Sequence, residues 1–228
     1  MGRSRLAIVV PARNEEKTIK EVIISLKKYG DVLIVDDCST DKTPLIVKNL
    51  QIKLIRNKLN LGYEATLLKG IKYLLKKKYK YIASFDADGE HDSKFFLNIK
   101  KLNNFDLLIG KRKKLNRYSE YFFSFVIKFF FNIHDPLSGL KIYSTHILKN
   151  IKLNVENDFN TYLIFKIKNQ NGKIIHKSLN VKKRKDSSRL GNSFKVNLDI
   201  IVSLFKLFFK IIIYKVCSNQ KKSLLRQN

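Results

Sequence analysis

The feature that most limits this chain is a recurring unit: a short apolar run, a polar cluster, then a segment with helical spacing. The apolar runs are Arg5 to Val10, Val32 to Val35, Ile52 to Ile55, Tyr81 to Phe85 and Phe105 to Ile109. Each is short, rich in β-formers and bounded by polar residues or glycine, which reads as a buried strand. Between them, Glu15 to Tyr29 carries Ile19, Val22, Ile23 and Leu26 on one helical face, with Gly30 placed as a C-cap. Ser39 or Thr40 is positioned to cap a short helix ending near Leu50, and Gly62 to Lys77 reads as another helix. Strands alternating with helices imply parallel βαβ units packed as an α/β sandwich. Ligands in such open sheets bind beyond the carboxyl ends of the strands. Three of those ends carry polar sequence, "PARNEE", "DDCST" and "DADGEH", and are expected to converge on one nucleotide-sized crevice.

The stretch "YIASFDADGEH" is the most informative of the three. A buried strand that ends in Asp86, Asp88 and Glu90 brings negative charge to a sheet edge. Such a cluster is costly without a positive partner, and a divalent cation is the usual one. If the backbone stays extended, Asp86 and Asp88 point to the same side and can share one Mg²⁺ or Mn²⁺, which then receives a nucleotide diphosphate. The plainer reading is a solvated acidic turn, with His91 a surface histidine beside it. Asp36 and Asp37 end a second strand, where a carboxylate can accept hydrogen bonds from a base or ribose; "DDCSTD" is also good turn chemistry, with Asp41 serving the helix cap. Pro11 stiffens the exit of the first strand, and Arg13 and Glu15 follow it toward the crevice, although glutamates at a helix start also suit its dipole.

The second half is less regular. "YFFSFVIKFFF" (121–131) is an aromatic helix interrupted by Lys128, and "DPLSGLKIY" (135–143) is a turn leading into a strand. Phe159 to Lys168 reads as a helix, Lys173 to Val181 as a strand, 182–195 as a basic loop, and Val196 to Cys217 as a long apolar helix. The chain of 228 residues is large enough for a sizeable core, and 44% hydrophobic composition fits a globular protein. Its formal net charge of +27 favours anionic partners. Two distant cysteines, Cys38 and Cys217, give no metal spacing and fit a reducing compartment. No secretory leader is expected, because the apolar run after the basic start is only Leu6 to Val10. No stretch of about 18 uncharged apolar residues suggests a spanning helix.

Six segments in order, "VVPARNEEKTI", "VLIVDDCSTDKT", "NLGYEATLLKG", "DADGEH", "DPLSGLKIY" and "SSRLGNSFK", resemble family 2 glycosyltransferases with the GT-A fold. Within that family the chain is most similar to polyprenyl-phosphate (dolichol-phosphate) mannosyl- and glucosyltransferases. The resemblance covers roughly residues 5–195 and implies a Rossmann-like α/β/α sandwich with a mostly parallel sheet over 1–195, followed by a membrane-associated helix and tail over 196–228. It implies a donor site made by Pro11, Arg13, Glu15, Asp36, Asp37, Gly62, Asp86, Ala87, Ser138 and Gly139. Arg13 stands where such enzymes often carry an aromatic residue. Asp86, Asp88 and Glu90 would hold Mg²⁺ or Mn²⁺, with Glu90 where close relatives often have Gln. Asp88, Asp135 and Arg117 are the implied catalytic residues, and Arg117, Arg184, Arg189 and Ser193 the implied ligands of an acceptor phosphate.

Charge then dictates the implied chemistry. Cleavage of a nucleotide-diphosphate sugar (GDP-mannose or UDP-glucose) leaves charge on the diphosphate, which a Lewis acid stabilises. A polyprenyl phosphate acceptor is already ionised near neutral pH and needs cations to hold it rather than a strong base. Inversion at the anomeric carbon is expected. A lipid acceptor must be met at a bilayer. In 196–217, Asp199, Ser203, Lys206 and Lys210 form one polar stripe on an otherwise apolar helix. That pattern suits an in-plane helix on an anionic membrane at the cytoplasmic face, alone or with a membrane-anchoring partner subunit. Helix 121–131 is a second insertion candidate. One rival is a family 2 transferase acting on a glycan or glycolipid hydroxyl, with Asp135 or Asp158 as base. Another is a basic nucleic-acid-binding protein; apolar clustering of the aromatics and acidic strand ends argue against nucleic acid as partner.

Overall fold

The computed structural model describes residues 6–97, 99, 102, 104–153, 159–182 and 194–224, and at 159, 210 and 213–224 the backbone alone. A seven-stranded sheet contains β1 (Leu6–Ala12), β2 (Asp31–Asp36), β3 (Lys53–Arg56), β4 (Tyr81–Ser84), β5 (Leu107–Arg112), β6 (Lys141–Ser144) and β7 (Ile174–Leu179). Their order is β3-β2-β1-β4-β6-β5-β7. Neighbours are parallel except around β6, which runs antiparallel to both β4 and β5. The helices are α1 (Ile19–Leu26), α2 (Thr43–Asn49), α3 (Tyr63–Leu75), α4 (Tyr118–Phe131), α5 (Thr145–Lys149), α6 (Phe159–Asn169) and α7 (Phe194–Leu224), with a 3-10 turn at Ser93–Phe96. The mostly parallel α/β sandwich expected from the sequence is present.

Strand side chains alternate between faces, and this sheet covers both. Ala7, Val9, Leu33, Val35 and Ile82 pack with Leu67, Leu68 and Ile71 of α3 and with apolar residues of α4, α6 and α7. Leu6, Ile8, Val10, Val32, Ile34 and Ala83 pack on the other face with Ile19, Val22, Ile23 and Leu26 of α1 and with Phe95 and Phe96. Burial on both sides explains why the strand runs are continuously apolar rather than alternating. Pro11 sits inside β1 opposite Val35 of β2. Val9 accepts a hydrogen bond from the Phe85 N–H on the β4 side. Pro11, two residues on, faces the same side beyond the last β4 pair, so its missing N–H breaks no ladder bond.

Several local expectations are corrected. Gly30 is not a left-handed cap: α1 closes at Lys27 in right-handed geometry, and a Cβ on Gly30 would lie 2.5 Å from the Leu6 carbonyl oxygen. Close backbone approach, not a turn, requires glycine there. Neither Ser39 nor Thr40 caps α2; Lys42 holds that position, and Asp41 Oδ1 accepts from the Thr43 N–H at 2.9 Å. The chain is not extended across Asp86 and Asp88, because β4 ends at Ser84 and a turn follows, with Gly89 at φ +77°. Helix α5 and the reversal of β6 were not anticipated.

Gly70 faces the sheet so closely that an added Cβ would meet Val9 Cγ1 at 2.4 Å and Val35 Cγ2 at 3.0 Å. Overpacking costs about 1–3 kcal/mol, more than the roughly 1 kcal/mol that alanine gains in a helix. Gly70→Ala should therefore lower the melting temperature by a few degrees in calorimetry.

His176 on β7 accepts from the His134 N–H through Nε2 at 3.0 Å, with the two rings edge to face. Burial, then the proximity of His134 and Lys111, pushes its pKa down to about 4 from 6.5. The unfolded chain thus binds this proton near pH 6.5 and the folded chain only near pH 4. Stability should fall as pH drops between those values and level off below them. Denaturant midpoints across that window should show a shallower slope in His176→Gln, which cannot titrate.

Candidate active site

The three polar strand ends meet through hydrogen bonds. The loop after β1 donates from the Asn14 N–H to Ser39 Oγ and from the Glu15 N–H to Thr43 Oγ1, both in the segment after β2. In return the Thr40 N–H donates to Asn14 Oδ1, and Asn14 takes a positive φ to allow it. Thr18 Oγ1 donates to the Ala87 carbonyl at 2.8 Å, tying the same loop to the turn after β4. Glu15 Oε2 accepts from Thr18 Oγ1, while Arg13 is exposed.

Antiparallel β6 completes the crevice. Its first residue, Lys141, lies opposite Ser84, the last residue of β4. The preceding Ser138-Gly139 turn is thereby laid against Asp86. A Cβ on Gly139 would stand 2.0 Å from Asp86 Oδ2, so glycine is required for the carboxylate to sit there. Ser84 Oγ donates to the Gly139 carbonyl at 2.7 Å. Asp86 Oδ1 accepts from Tyr63 Oη at 2.9 Å, at the start of α3. Desolvation of its hydroxyl and the charge of Asp86 raise the Tyr63 pKa well above its ordinary value and keep it a donor, although the residue as a whole is exposed.

Asp88 Oδ1 accepts from the Glu90 N–H at 3.1 Å. His91 is buried rather than superficial: its ring meets Phe85 edge-on, and Nδ1 stands 3.6 Å from Asp86 Oδ2. Among the described residues, no three His, Cys, Asp or Glu side chains gather to hold a metal. Asp86 and Asp88 supply two hard oxygen donors. They fit a divalent cation that takes its other ligands from water and phosphate, as Mg²⁺ commonly does.

The two aspartates after β2 divide their work. Asp37 is buried, and its oxygens accept from Asn57 Nδ2, the Leu61 N–H and the Gly62 N–H. It organises the loop into α3, including Gly62 at φ +83°. Asp36 is fully buried, and its Oδ2 accepts from Arg56 Nε and the Ser39 N–H. Its Oδ1 has no hydrogen-bond partner among the described residues. A buried carboxylate oxygen left unpaired is costly, and it suits a ligand donor such as a base N–H.

Asp135 is also buried, at a strained φ of +47°. Arg112, at the end of β5, grips it through Nε and Nη2 at 2.9 and 2.8 Å, and the Arg112 N–H adds a third bond. Arg112 continues to Glu120 at 3.2 Å, and Glu120 to Arg117 at 2.8 Å. Burial alone would lower the Arg112 pKa, but the bonds and charges of Asp135 and Glu120 raise it. Asp135 is thus committed to an arginine, and Arg117 is turned to Glu120. Arg184, Arg189, Ser193 and Asp158 lie outside the described residues.

Lys141 is the cation the sequence reading overlooked. It is almost fully buried, and Nζ donates to the Ser138 carbonyl. Burial pushes its pKa down to about 8, while the charges of Asp135 and Asp86 oppose that fall. A lysine inside "SGLKIY", an otherwise apolar strand start, was the available signal. Arg112 gave a similar one, closing the apolar run "LLIGKR".

The model of the family described as "Glycosyl transferase family 2" matches residues 7–151. An uncharacterised protein of Methanocaldococcus jannaschii is 33% identical over 176 residues, covering 69% of this chain and 72% of its own. The UDP-N-acetylglucosamine–dolichyl-phosphate N-acetylglucosaminyltransferase of Methanococcus voltae is 27% identical over 188 residues, 65% of this chain and 73% of that one. Among solved structures, glucosyl-3-phosphoglycerate synthase from Mycobacterium tuberculosis with Mn²⁺, UDP-glucose and phosphoglyceric acid superposes with a TM-score of 0.71. That match covers 90% of this chain and 80% of the other at 18% identity. With a strand-end aspartate turn seated against Ser138-Gly139, and the family match spanning every strand but β7, this chain belongs to glycosyl transferase family 2 and has the GT-A fold.

Proposed function

We propose that this transferase moves a hexose from a nucleotide-diphosphate sugar to a polyprenyl phosphate at the cytoplasmic membrane face. The observation that carries the choice of acceptor is the state of Asp135. A hydroxyl acceptor needs a carboxylate base; of the two candidates, Asp135 is held by Arg112 at two side-chain nitrogens, and Asp158 lies outside the described residues. Lys141 and Arg112 lie within electrostatic reach of Asp86, Arg112 while also pairing with Asp135 and Glu120. Cations without a strong base suit an acceptor that arrives already ionised. The dolichyl-phosphate substrate in the name of the Methanococcus relative supports the same class.

In this reading the unpaired Oδ1 of Asp36 takes a donor from the base or ribose, and the donor diphosphate lies toward Asp86 and Asp88. Those two carboxylates would hold Mg²⁺ or Mn²⁺, which supplies Lewis-acid stabilisation of the leaving diphosphate when bound. Tyr63 and Gly139 fix the Asp86 carboxylate from two sides. The acceptor phosphate oxygen attacks the anomeric carbon as its bond to the diphosphate oxygen breaks, and the configuration inverts. Lys141 holds the Ser138 carbonyl and so sets the turn beside the sugar.

Turnover measured with a panel of nucleotide sugars and Mn²⁺ should give a product on polyprenyl phosphate and none on glycan hydroxyls. Transfer to a hydroxyl acceptor alone would overturn the reading. In the same assay Asp88→Asn should lose at least about 100-fold in activity, keep the wild-type melting temperature, and lose the Mn²⁺-dependent thermal shift given by the donor.

Lys141→Met keeps length but removes the charge. Loss of the charge-assisted bond that holds the Ser138 carbonyl, worth roughly 1.5–3 kcal/mol, should slow transfer to the phosphate acceptor by about 10–100-fold, while slow hydrolysis of the donor by water changes less. Equal loss in both reactions would assign Lys141 to the donor instead.

A further inference from the structure

Helices α4 and α7 run side by side in the same direction. Ser119 Oγ donates to Asn197 Oδ1 near their starts, and the rings of Phe130 and Phe208 meet 5.4 Å apart farther along. Each helix buries one stripe: Ser119, Glu120, Phe123 and Ile127 on α4, and Leu204, Leu207 and Ile211 on α7. Each also exposes a second, apolar stripe. On α4 it is Tyr118, Tyr121, Phe122, Phe125 and Phe129; on α7 it is Phe194, Leu198, Val202, Phe205, Phe209 and Ile212. At 3.6 residues per turn, each stripe fills roughly a quarter of its helix surface. Because the helices are parallel and touch along Ser119/Phe130 and Asn197/Phe208, both stripes face the same way, opposite the core.

The exposure is large for side chains of this kind: Phe125 68%, Phe129 75%, Phe205 69% and Phe209 66%. A continuous aromatic patch of this size marks an interaction surface. Its rim identifies the occupant. Lys128 lies on the outer flank of α4, and Lys195 and Lys206 on the outer flank of α7, all exposed. Asp199 is the one exposed acid on the described parts of these helices. A second copy of this chain would set these lysines against their like, within a molecule of net charge +27. An anionic lipid surface complements them. Among the described residues no helix is long and apolar enough to cross a membrane.

We propose that the outer faces of α4 and α7 together form a docking surface for an anionic bilayer. Both helices lie in the plane of the interface, aromatic side chains sit at headgroup depth, and the flanking lysines reach phosphates. This names the surface for the membrane location in the proposed function and rests on that reading, but binding is measured without donor or acceptor.

The test is flotation of the full chain with vesicles of phosphatidylcholine, with and without phosphatidylglycerol. The protein should float with the anionic vesicles. Phe125→Ser with Phe129→Ser, and separately Phe205→Ser with Phe209→Ser, should each lower partitioning at least about tenfold. All four side chains are exposed, so melting temperatures should hold. Lys128→Glu with Lys206→Glu should lower binding to anionic vesicles by about fivefold or more per lysine, leaving binding to neutral vesicles nearly unchanged. Absence of flotation, flotation indifferent to the α4 aromatics, or a dimer in sedimentation that the same serine variants dissociate without any vesicle binding would overturn the proposal. Donor thermal shifts, recorded in parallel, report on the transferase reading separately.

Discussion

The active crevice depends on one pairing: Lys141 at the start of β6 set antiparallel against Ser84 at the end of β4. In an all-parallel sheet the start of a neighbouring strand lies at the opposite edge from a carboxyl end. Reversing β6 brings its entry turn to the same edge as the aspartates of β4. The Ser138-Gly139 turn can then press on Asp86, and the Lys141 ammonium can sit beneath the turn. β5 pairs with β6 on its other side, also antiparallel, so Arg112 at the β5 end reaches Asp135 just before the same turn. One strand reversal thus gathers the acidic turn, the glycine that makes room for it and two cations.

That gathering is also a charge problem. Asp36, Asp86 and Asp135 are brought near one edge of a sheet with two apolar faces, where unpaired carboxylates are expensive. The fold meets most of this internally. Arg56 engages Asp36, Arg112 engages Asp135 and Glu120, and Lys141 sits within electrostatic reach of Asp86 and Asp135. Only specific atoms stay outside these pairings, Asp36 Oδ1 the clearest among the described residues. Most of this charge is matched and Asp36 Oδ1 is not, and since buried acceptors seldom stay unsatisfied, that atom is where the proposed function puts a donor from the nucleotide.

The sequence made the parallel half of this arrangement readable and the antiparallel half obscure. β1, β2 and β4 are continuous apolar runs because they are covered on both faces, and their polar ends announce a crevice. Gly30, Ser39 and Thr40 were misread because close approach and cross-loop bonds look, in one dimension, like caps. The geometry at Asp86 and Asp88 came from a turn with Gly89 at positive φ, not from an extended strand, so the period-two argument did not apply. Asp135 and Arg117 carry charges that point to chemistry in sequence, yet their partners, Arg112 and Glu120, are set by long-range packing. His91 looked superficial because its burial comes from Phe85 and the neighbouring β7 exit, which bonds back to residues 90–92.

The ion-pair chain has one further consequence for how a lipid acceptor would arrive. Asp135 bonds Arg112, Arg112 bonds Glu120, and Glu120 bonds Arg117, the residue that opens α4. Glu120 lies in the first turn of α4, where its charge also suits the helix dipole. The aromatic helix proposed to lie on the bilayer is therefore fastened at its N-terminus to Asp135, just before the Ser138-Gly139 turn. A rigid, buried ionic connection transmits position better than a loop does, since charges in low dielectric tolerate little separation. A phosphate at headgroup depth near Tyr118 and Tyr121 would meet the cationic side of the crevice without the protein leaving the membrane. Its hydrocarbon tail would stay in the lipid that the rest of α4 faces. On the membrane proposal, the arginine–glutamate chain would hold the lipid-facing helix at the end tied to Asp135.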